Sequence, residues 1–451
     1  MNQTHVINSL QIEVETSSAS TAFRLRDALN HYWPQWVKVH LEKALDRLAP
    51  SDSMIRIARL EIDLEILEAG HFGEGFPERI EKQFADRLQE IIHSKSIDQS
   101  ISNNSMVERD LLVGFLRTGT LPWWSQSRKN TDFNQILSTL SREKPDEIRG
   151  VLLNVFREKD SLLRLLYQLD IQLLIDVIKA LFKPDKVWTE VEKQTGALLD
   201  HNQHLTESEK NRLRVWLLLA HLDEQENLNA ASSLRAVEKQ FLPSFQQIEW
   251  KLPAAFLSDK NATSGPWPKY EDAFNYEDEF SEEQTKFVIR CAGIVLIAPF
   301  LPQLFKQLNL LNPEGAAFKD EQAAFCAVAL LGYIGRGKTL IPEYDLVLEK
   351  LLCGVPIHEP VPLDCALTSI QIKEAEQLLD AVVTHWHVLK SVAGLREGFF
   401  EREGILQDMG SSWLLRVERK SYDLLFDHKP PPWGFRVLRF SWNPKMIETE
   451  W

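Results

Sequence analysis

The chain has 451 residues, with 51 Lys and Arg against 65 Asp and Glu, a formal charge of -14. At about 150 residues per domain this length suggests roughly three folding units, and a composition of 44% hydrophobic and 26% charged residues excludes a disordered chain. The acidic balance excludes a general nucleic-acid partner, which needs a basic footprint for phosphates, and argues equally against an anionic membrane surface.

The amino terminus, MNQTHVINSLQIEVETSS, has no basic stretch followed by an apolar one, so no secretory signal is expected and the protein is placed in the cytoplasm. Val6, Leu10, Ile12 and Val14 alternate as in a strand over 5–15, and Ile55 to Ile66 do likewise with one slip of phase. Between them, apolar positions from Ala22 to Leu48 recur at helical spacing, and Phe76 to His93 reads as a further helix with Pro77 in its first turn. Residues 1–95 are therefore expected to form a small βαβα unit, an N-terminal α/β block.

A Ser/Asn-rich break at 94–105 precedes a short helix, Val107 to Arg117, which runs into the turn-prone Thr118-Gly119-Thr120 and then Leu121-Pro122-Trp123-Trp124. The segment 106–125 is read as a docking segment. Amphipathic stripes at Ile148 to Phe156, Leu162 to Phe182 and Leu205 to Leu222, punctuated by Pro145 and Pro184, predict an all-helical middle over 131–257. Residues 258–284 mix turn formers with a tract of seven acids from Glu271 to Glu283 and have no base after Lys269, which predicts a solvated acidic linker. In 285–451, helices are predicted at 285–310, 318–335, 343–352 and 369–389, with strand-like alternation at Trp413 to Arg419 and Phe435 to Trp442. The fold class expected is α+β and predominantly α-helical, with a helical C-terminal block and a short β ending.

The stretch Cys291 to Pro302 is apolar but far short of the roughly 20 residues that span a bilayer, so it is read as a buried core helix and no direct membrane span is predicted. The four cysteines, at 291, 326, 353 and 365, form no CxxC pair, and Cys353 and Cys365 read as small buried hydrophobes in a reducing compartment. His201 with His204, and His385 with His387, have no complete ligand set around them, and no nucleophile elbow is present. No catalytic, metal or cofactor site is assigned.

Gly332 to Thr339, with Gly337 and Lys338, matches GxxxxGK[ST] literally. A phosphate-cradling loop needs a strand before it and a helix N-terminus after it. Here the preceding Ala323 to Leu331 reads as helix, and Pro342 follows within three residues of Thr339, so the match is read as a decoy. Tryptophan is the other conspicuous feature, with 13 residues that include Trp123, Trp124, Trp386, Trp413, Trp433, Trp442 and Trp451. Each joins a large apolar area to one donor, which suits interfaces as well as cores.

Several segments carry a more specific pattern. At the amino end stand His5-Val6-Ile7, the helix Phe23 to Leu48, Ala49-Pro50 and Ile57-Ala-Arg-Leu-Glu-Ile-Asp-Leu64. Phe115-Leu116-Arg117-Thr118-Gly119-Thr120-Leu121-Pro122-Trp123-Trp124 follows. The carboxyl part holds Ala292 to Pro302, Lys350-Leu-Leu-Cys353-Gly354-Val-Pro356, His385-Trp386, Gly394-Leu395-Arg396-Glu397, Arg402-Glu403-Gly404, Trp413 to Glu418 and Trp433 to Trp451. Together these resemble the contractile injection system tape measure protein family, components of phage-tail-like bacterial machines that drive an inner tube through a contracting sheath. The resemblance covers about 5–125 and 285–451 and leaves the middle unmatched. Cys291 and Ala298 depart from it, standing where the family pattern leads us to expect Asn and an aromatic or His.

The resemblance implies a non-enzymatic structural protein that engages tube, baseplate or hub proteins and takes part in setting tube length. Phe115, Leu116, Arg117, Gly119, Pro122, Trp123, Trp124, Trp433, Trp442 and Trp451 are the candidate partner contacts. Pro145, Pro184, Pro243 and Pro253 between short amphipathic stripes point to a packed middle rather than an extended ruler. The rival readings are a P-loop NTPase powering assembly, and a soluble helical adaptor or chaperone.

Overall fold

The computed structural model describes residues 5, 7, 23, 38–48, 54–55, 57, 60–62, 76–93, 101–102, 104–125, 131–184, 188–189, 192–193, 196, 207–226, 228–241, 286–363, 365 and 367–451. They divide into two units, Met1–Leu111 with Ser127–Lys129, and Leu112–Gln126 with Asn130–Trp451. The described chain is mostly helical, with a five-stranded sheet near the carboxyl end.

In the first unit, α1 (Lys38–Leu48) and α2 (Phe76–His93) pack through Leu41 and Ala44 against Ile80, Phe84, Ala85 and Leu88, the one-turn spacing that forms an apolar stripe. His40 hydrogen-bonds to Glu81 and holds that carboxyl below its ordinary range. A two-stranded antiparallel ladder joins β1 (Met54–Ile55) to β2 (Ile101–Ser102). The predicted βαβα unit is not what the described residues form. The second short strand comes from the Ser/Asn-rich break instead, and the strand read over 5–15 lies, apart from His5 and Ile7, outside the described residues. The acidic segment 258–284 also lies outside them.

After α3 (Asn104–Thr118), the middle region runs through α4 (Phe133–Glu143), α5 (Pro145–Arg157), α6 (Lys159–Gln168), α7 (Ile171–Phe182), α8 (Glu207–Glu226) and α9 (Ala231–Phe241). Asp132 caps α4 by accepting from the Asn134 and Gln135 amides, and Pro145 opens α5 where its missing N–H is harmless. One long helix was expected over Leu162 to Phe182, and there are two. Asp170 is extended and its carboxylate accepts the Leu173 amide at 2.8 Å, so a cap interrupts the apolar stripe. Lys183 ends α7 in the left-handed region at φ 49°, just before Pro184.

The predicted helix over 285–310 is replaced by three elements: β3 (Lys286–Ile289), a 3₁₀ helix (Ala292–Phe300) and α10 (Leu301–Gln307). The 3₁₀ helix is buried from Ala292 to Ala298, as expected of this apolar run, but Pro299 removes an amide that an α-helix would use. Its start also lies hard against another backbone, since a Cβ on Gly293 would stand 1.7 Å from the Phe399 carbonyl oxygen. Around it pack α11 (Glu321–Arg336), α12 (Val347–Leu352) and α13 (Ser369–His385). Thr368 and Gln371 form a reciprocal capping box at the start of α13. Thr368→Val, which keeps the shape and removes the hydroxyl, is expected to cost about 1 kcal/mol, read as a lowered urea midpoint.

The sheet has the order β3-β4-β5-β7-β6, with β4 (Gly404–Asp408), β5 (Ser412–Val417), β6 (Val437–Leu438) and β7 (Met446–Glu450). All neighbours are antiparallel except β5 and β7, which run parallel from Ser412↔Met446. Leu406, Trp413, Leu415, Val417, Leu438 and Ile447 face the core, while Ile405, Arg416, Glu448 and Glu450 alternate outward. The predicted short β ending is thus larger than expected. Most of Phe435 to Trp442 is not strand, whereas β3 lies where a helix was predicted and β4 and β7 come from segments with weak β signals.

Candidate functional site

The docking segment ends α3 within the second unit. Gly119 adopts φ 73° and its amide donates to the Phe115 carbonyl at 2.8 Å, closing the helix as glycine does best. The chain then turns so that Leu121, Pro122 and Trp124 are buried, and Ser125 returns two hydrogen bonds to the Pro122 carbonyl. Phe115 stacks on Phe133 with centroids 4.3 Å apart and meets the edge of Tyr344 at 5.8 Å. Burial and the Asp345 carboxylate push the Tyr344 phenol up to about 12.

Beneath this segment lies a buried ionic joint. Arg164 of α6, Glu343 at the start of a short 3₁₀ turn and Lys350 of α12 have no exposed side-chain surface. The Arg164 Nε lies 3.1 Å from each Glu343 oxygen, and Lys350 Nζ lies 2.6 Å from Oε1. The remaining Arg164 nitrogens donate to the carbonyls of Leu116 and His358, while Lys350 donates to those of Ile357 at 2.8 Å and Glu359 at 2.7 Å. Gln168 adds a further tie, accepting the Glu343 amide and donating to the Val361 carbonyl. One carboxylate thus sits between two cations, and four main-chain oxygens take up the remaining donors. Burial lowers the Lys350 pKa, and Glu343 opposes that shift. Such a set stabilises only when complete, because each buried charge left alone costs several kcal/mol.

A second ion pair, with its carboxylate buried and its guanidinium half-buried, is adjacent in sequence. Arg336 donates to Glu349 at 2.6 Å and to the Asp345 carbonyl. Burial nevertheless pushes Glu349 above the usual carboxylate range, against the pull of Arg336. In the C-terminal block, Arg402 reaches Asp423 at 2.6 Å and the Gly398 carbonyl at 2.7 Å.

The structure brings Phe115, Leu116 and Gly119 to the ionic joint, with Pro122 and Trp124 buried beyond it and Arg117 exposed. For Trp123 only its place in a 3₁₀ turn, Trp123–Ser125, is described. Trp433, Trp442 and Trp451 lie apart from that segment. Each is half-buried, and their indole nitrogens donate to the Leu296 carbonyl at 2.8 Å, the Leu352 carbonyl at 3.0 Å and the Asp423 carboxylate at 3.2 Å. Sequence patterns alone give no role to Arg164, Glu343 or Lys350. One signal was available: Arg164 interrupts Leu162, Leu163, Leu165 and Leu166, and a charge inside an apolar run points to a buried partner.

Gly332 to Thr339 occupies the end of α11. Gly337 takes φ 67° and donates to the Tyr333 carbonyl at 2.7 Å, so helix carbonyls rather than helix-opening amides face the loop. That end of a helix carries partial negative charge and repels phosphate. His385 and His387 are exposed, and His201 and His204 lie outside the described residues. Among the described residues, no group of three or more His, Cys, Asp or Glu could hold a metal ion, and no helix is long and apolar enough to cross a membrane.

No curated protein and no solved structure matches the chain. One family model does, described as contractile injection system tape measure protein, and its match runs over residues 4–451. The middle region, which the sequence resemblance left unmatched, therefore lies inside the family pattern. The joint fits such a pattern, since it ties the FLRTG segment, a middle helix and the C-terminal block into one buried network. With the match spanning all three, the chain belongs to the contractile injection system tape measure protein family.

Proposed function

We propose that this chain is a non-enzymatic structural and assembly protein of a contractile injection system, acting as a folded body that engages tube, baseplate or hub proteins rather than as an extended ruler. The observation that carries this reading is the Arg164–Glu343–Lys350 joint. An extended rod would pull Arg164 away from Glu343 and strand three buried charges. It would also expose Leu137, Leu152, Leu166 and Ile178, which are fully covered or nearly so. If laid out as one helix, 131–257 would span about 190 Å, a length the packed helices give up.

Arg117 and the open halves of Trp433, Trp442 and Trp451 are the contacts we assign to partners, while Phe115, Leu116, Gly119, Pro122 and Trp124 hold the docking segment in place. The net charge of -14 favours partner surfaces that are neutral or basic, with assembly in the cytoplasm and no nucleic-acid partner.

The test is an insertion of roughly 30 helix-forming residues within 258–284, with particles then purified and measured by electron microscopy. A lumenal ruler lengthens the tube by about 45 Å. We expect the variant to co-purify with particles of unchanged length, and a proportional increase would overturn the reading.

A further inference from the structure

Three runs of this acidic chain, 291–313, 381–396 and 428–446, carry no Asp or Glu, although the whole has 65. The fold brings the three together. The Trp386 indole donates to the Lys429 carbonyl at 2.9 Å, and the Trp433 indole donates to the Leu296 carbonyl at 2.8 Å. Phe300 meets Trp433 in a T-shaped contact with centroids 5.0 Å apart. α10, which opens one residue after Phe300, packs against α13, which ends at His385.

What these contacts leave outside is apolar in the middle and basic around it. Phe300 and Trp433 are half-buried, and Pro302, Pro430 and Pro432 beside them are exposed. Lys306, one turn beyond Pro302 on α10, Lys390, four residues beyond Trp386, and Lys429 are exposed too, and none of the three holds an ion pair among the described residues. That sets them apart from Arg290, Arg336, Arg396, Arg402, Arg416 and Lys445 of the same block, each of which holds a carboxylate. His385, His387 and His428 are exposed within the same runs, and Asp380 and Asp427 stand just outside them.

We propose that this surface docks a short acidic segment of a partner protein, one that lays an aromatic or aliphatic side chain on Phe300 and Trp433 and sets its carboxylates against Lys306, Lys390 and Lys429. The inference rests on the assignment of Trp433 to a partner and adds the chemistry of that partner. The apolar centre supplies the area and the unpaired lysines supply the selection, the usual division between the core and the rim of an interface. Because the indole N–H is spent on Leu296, the ring offers apolar surface rather than a donor. The net charge of -14 acts against a long polyanion, since a nucleic acid would carry its phosphates past the lysines to the acids around them. A short segment keeps its charges within the roughly 8–10 Å over which salt leaves them visible.

The test replaces Lys429 with benzoyl-phenylalanine in the full chain, with Arg117 replaced in the same way as a reference, and irradiates particles purified from cells that carry the whole gene cluster. The cross-link at position 429 is expected to map to a segment of another protein in which Asp and Glu outnumber Lys and Arg. Lys306→Glu, Lys390→Glu and Lys429→Glu combined should leave the melting temperature within about 2 °C, because all three are exposed, and lower the amount of chain retained in particles about tenfold. Lys338→Glu, exposed at the end of α11, should change neither, and exchanging the acids of the captured segment for lysines should restore the triple variant. A cross-link to a neutral or basic segment, to nucleic acid or to this chain itself, or retention unaffected by the triple reversal, would overturn the proposal. If position 117 captures a partner and position 429 captures none, acidic docking fails and the assembly role stands; if the unaltered chain is absent from particles, both fall.

Discussion

Glu343→Ala is expected to lower the stability of the second unit by about 3–5 kcal/mol, the range for removing one partner of a buried charge set. The size follows from what remains. Arg164 and Lys350, neither with exposed side-chain surface, would face each other with carbonyls alone around them. Water cannot reach them without opening the packing between α6 and α12. Because the site is dry, added salt should restore little of the loss, unlike at a surface pair. Glu343→Gln, which keeps the shape and an acceptor, should still lose most of it, since the compensating charge is gone. Urea unfolding of the full chain measures both variants, and a loss under about 1 kcal/mol would show that the joint does not hold the unit together.

Gly119→Ala should destabilise by about 2–4 kcal/mol, from a left-handed backbone and a steric clash acting together. At φ 73°, a side chain is strained whatever the space around it. The added Cβ would also stand 2.3 Å from Glu343 Oε1 and 3.0 Å from Arg164 Nε, atoms clamped by their own partners. Gly410 supplies the comparison. Its φ is 79° and an added methyl would meet nothing within 4 Å, so Gly410→Ala should show the backbone strain alone, about 1 kcal/mol. Equal losses in the two variants, measured by thermal unfolding, would mean that the ionic joint yields to the intruding methyl.

These two positions also show what the sequence could and could not disclose. The turn at Thr118-Gly119-Thr120 and the helix before it were legible, because a cap is a local event and glycine after a helical stripe announces it. Phe76–His93 was legible for the same reason, its apolar residues recurring on one face. Glu343 was not, since its partner Arg164 is 179 positions away and no local pattern records the pairing. The break at Asp170 was hidden by the apolar run through which it cuts. β7 was hidden by composition, because Glu448 and Glu450 alternate with inward Ile447 and Thr449 in a segment of low strand propensity. The 3₁₀ helix at Ala292–Phe300 misled because it is buried on every side, so no face stands out to give a period. Of the candidate contacts, Phe115 and Trp433 were visible as aromatics, but an aromatic alone does not say whether it points to the chain's own core or to a partner.

The sheet's strand order bears on how this chain reaches its native state. β4 and β5 form a hairpin across only Met409 to Ser411, so they can pair as soon as both exist. β3 must join β4 from 115 positions earlier, Ile289 meeting Gly404, and that closure is slow relative to the hairpin. In the interval β4 presents a row of open amides and carbonyls beside the exposed Ile405 and Met409, the kind of edge on which another nascent chain can pair. Dilution or a chaperone that covers this edge should therefore favour the monomeric route, and crowded synthesis should favour misassembly through the β4 edge.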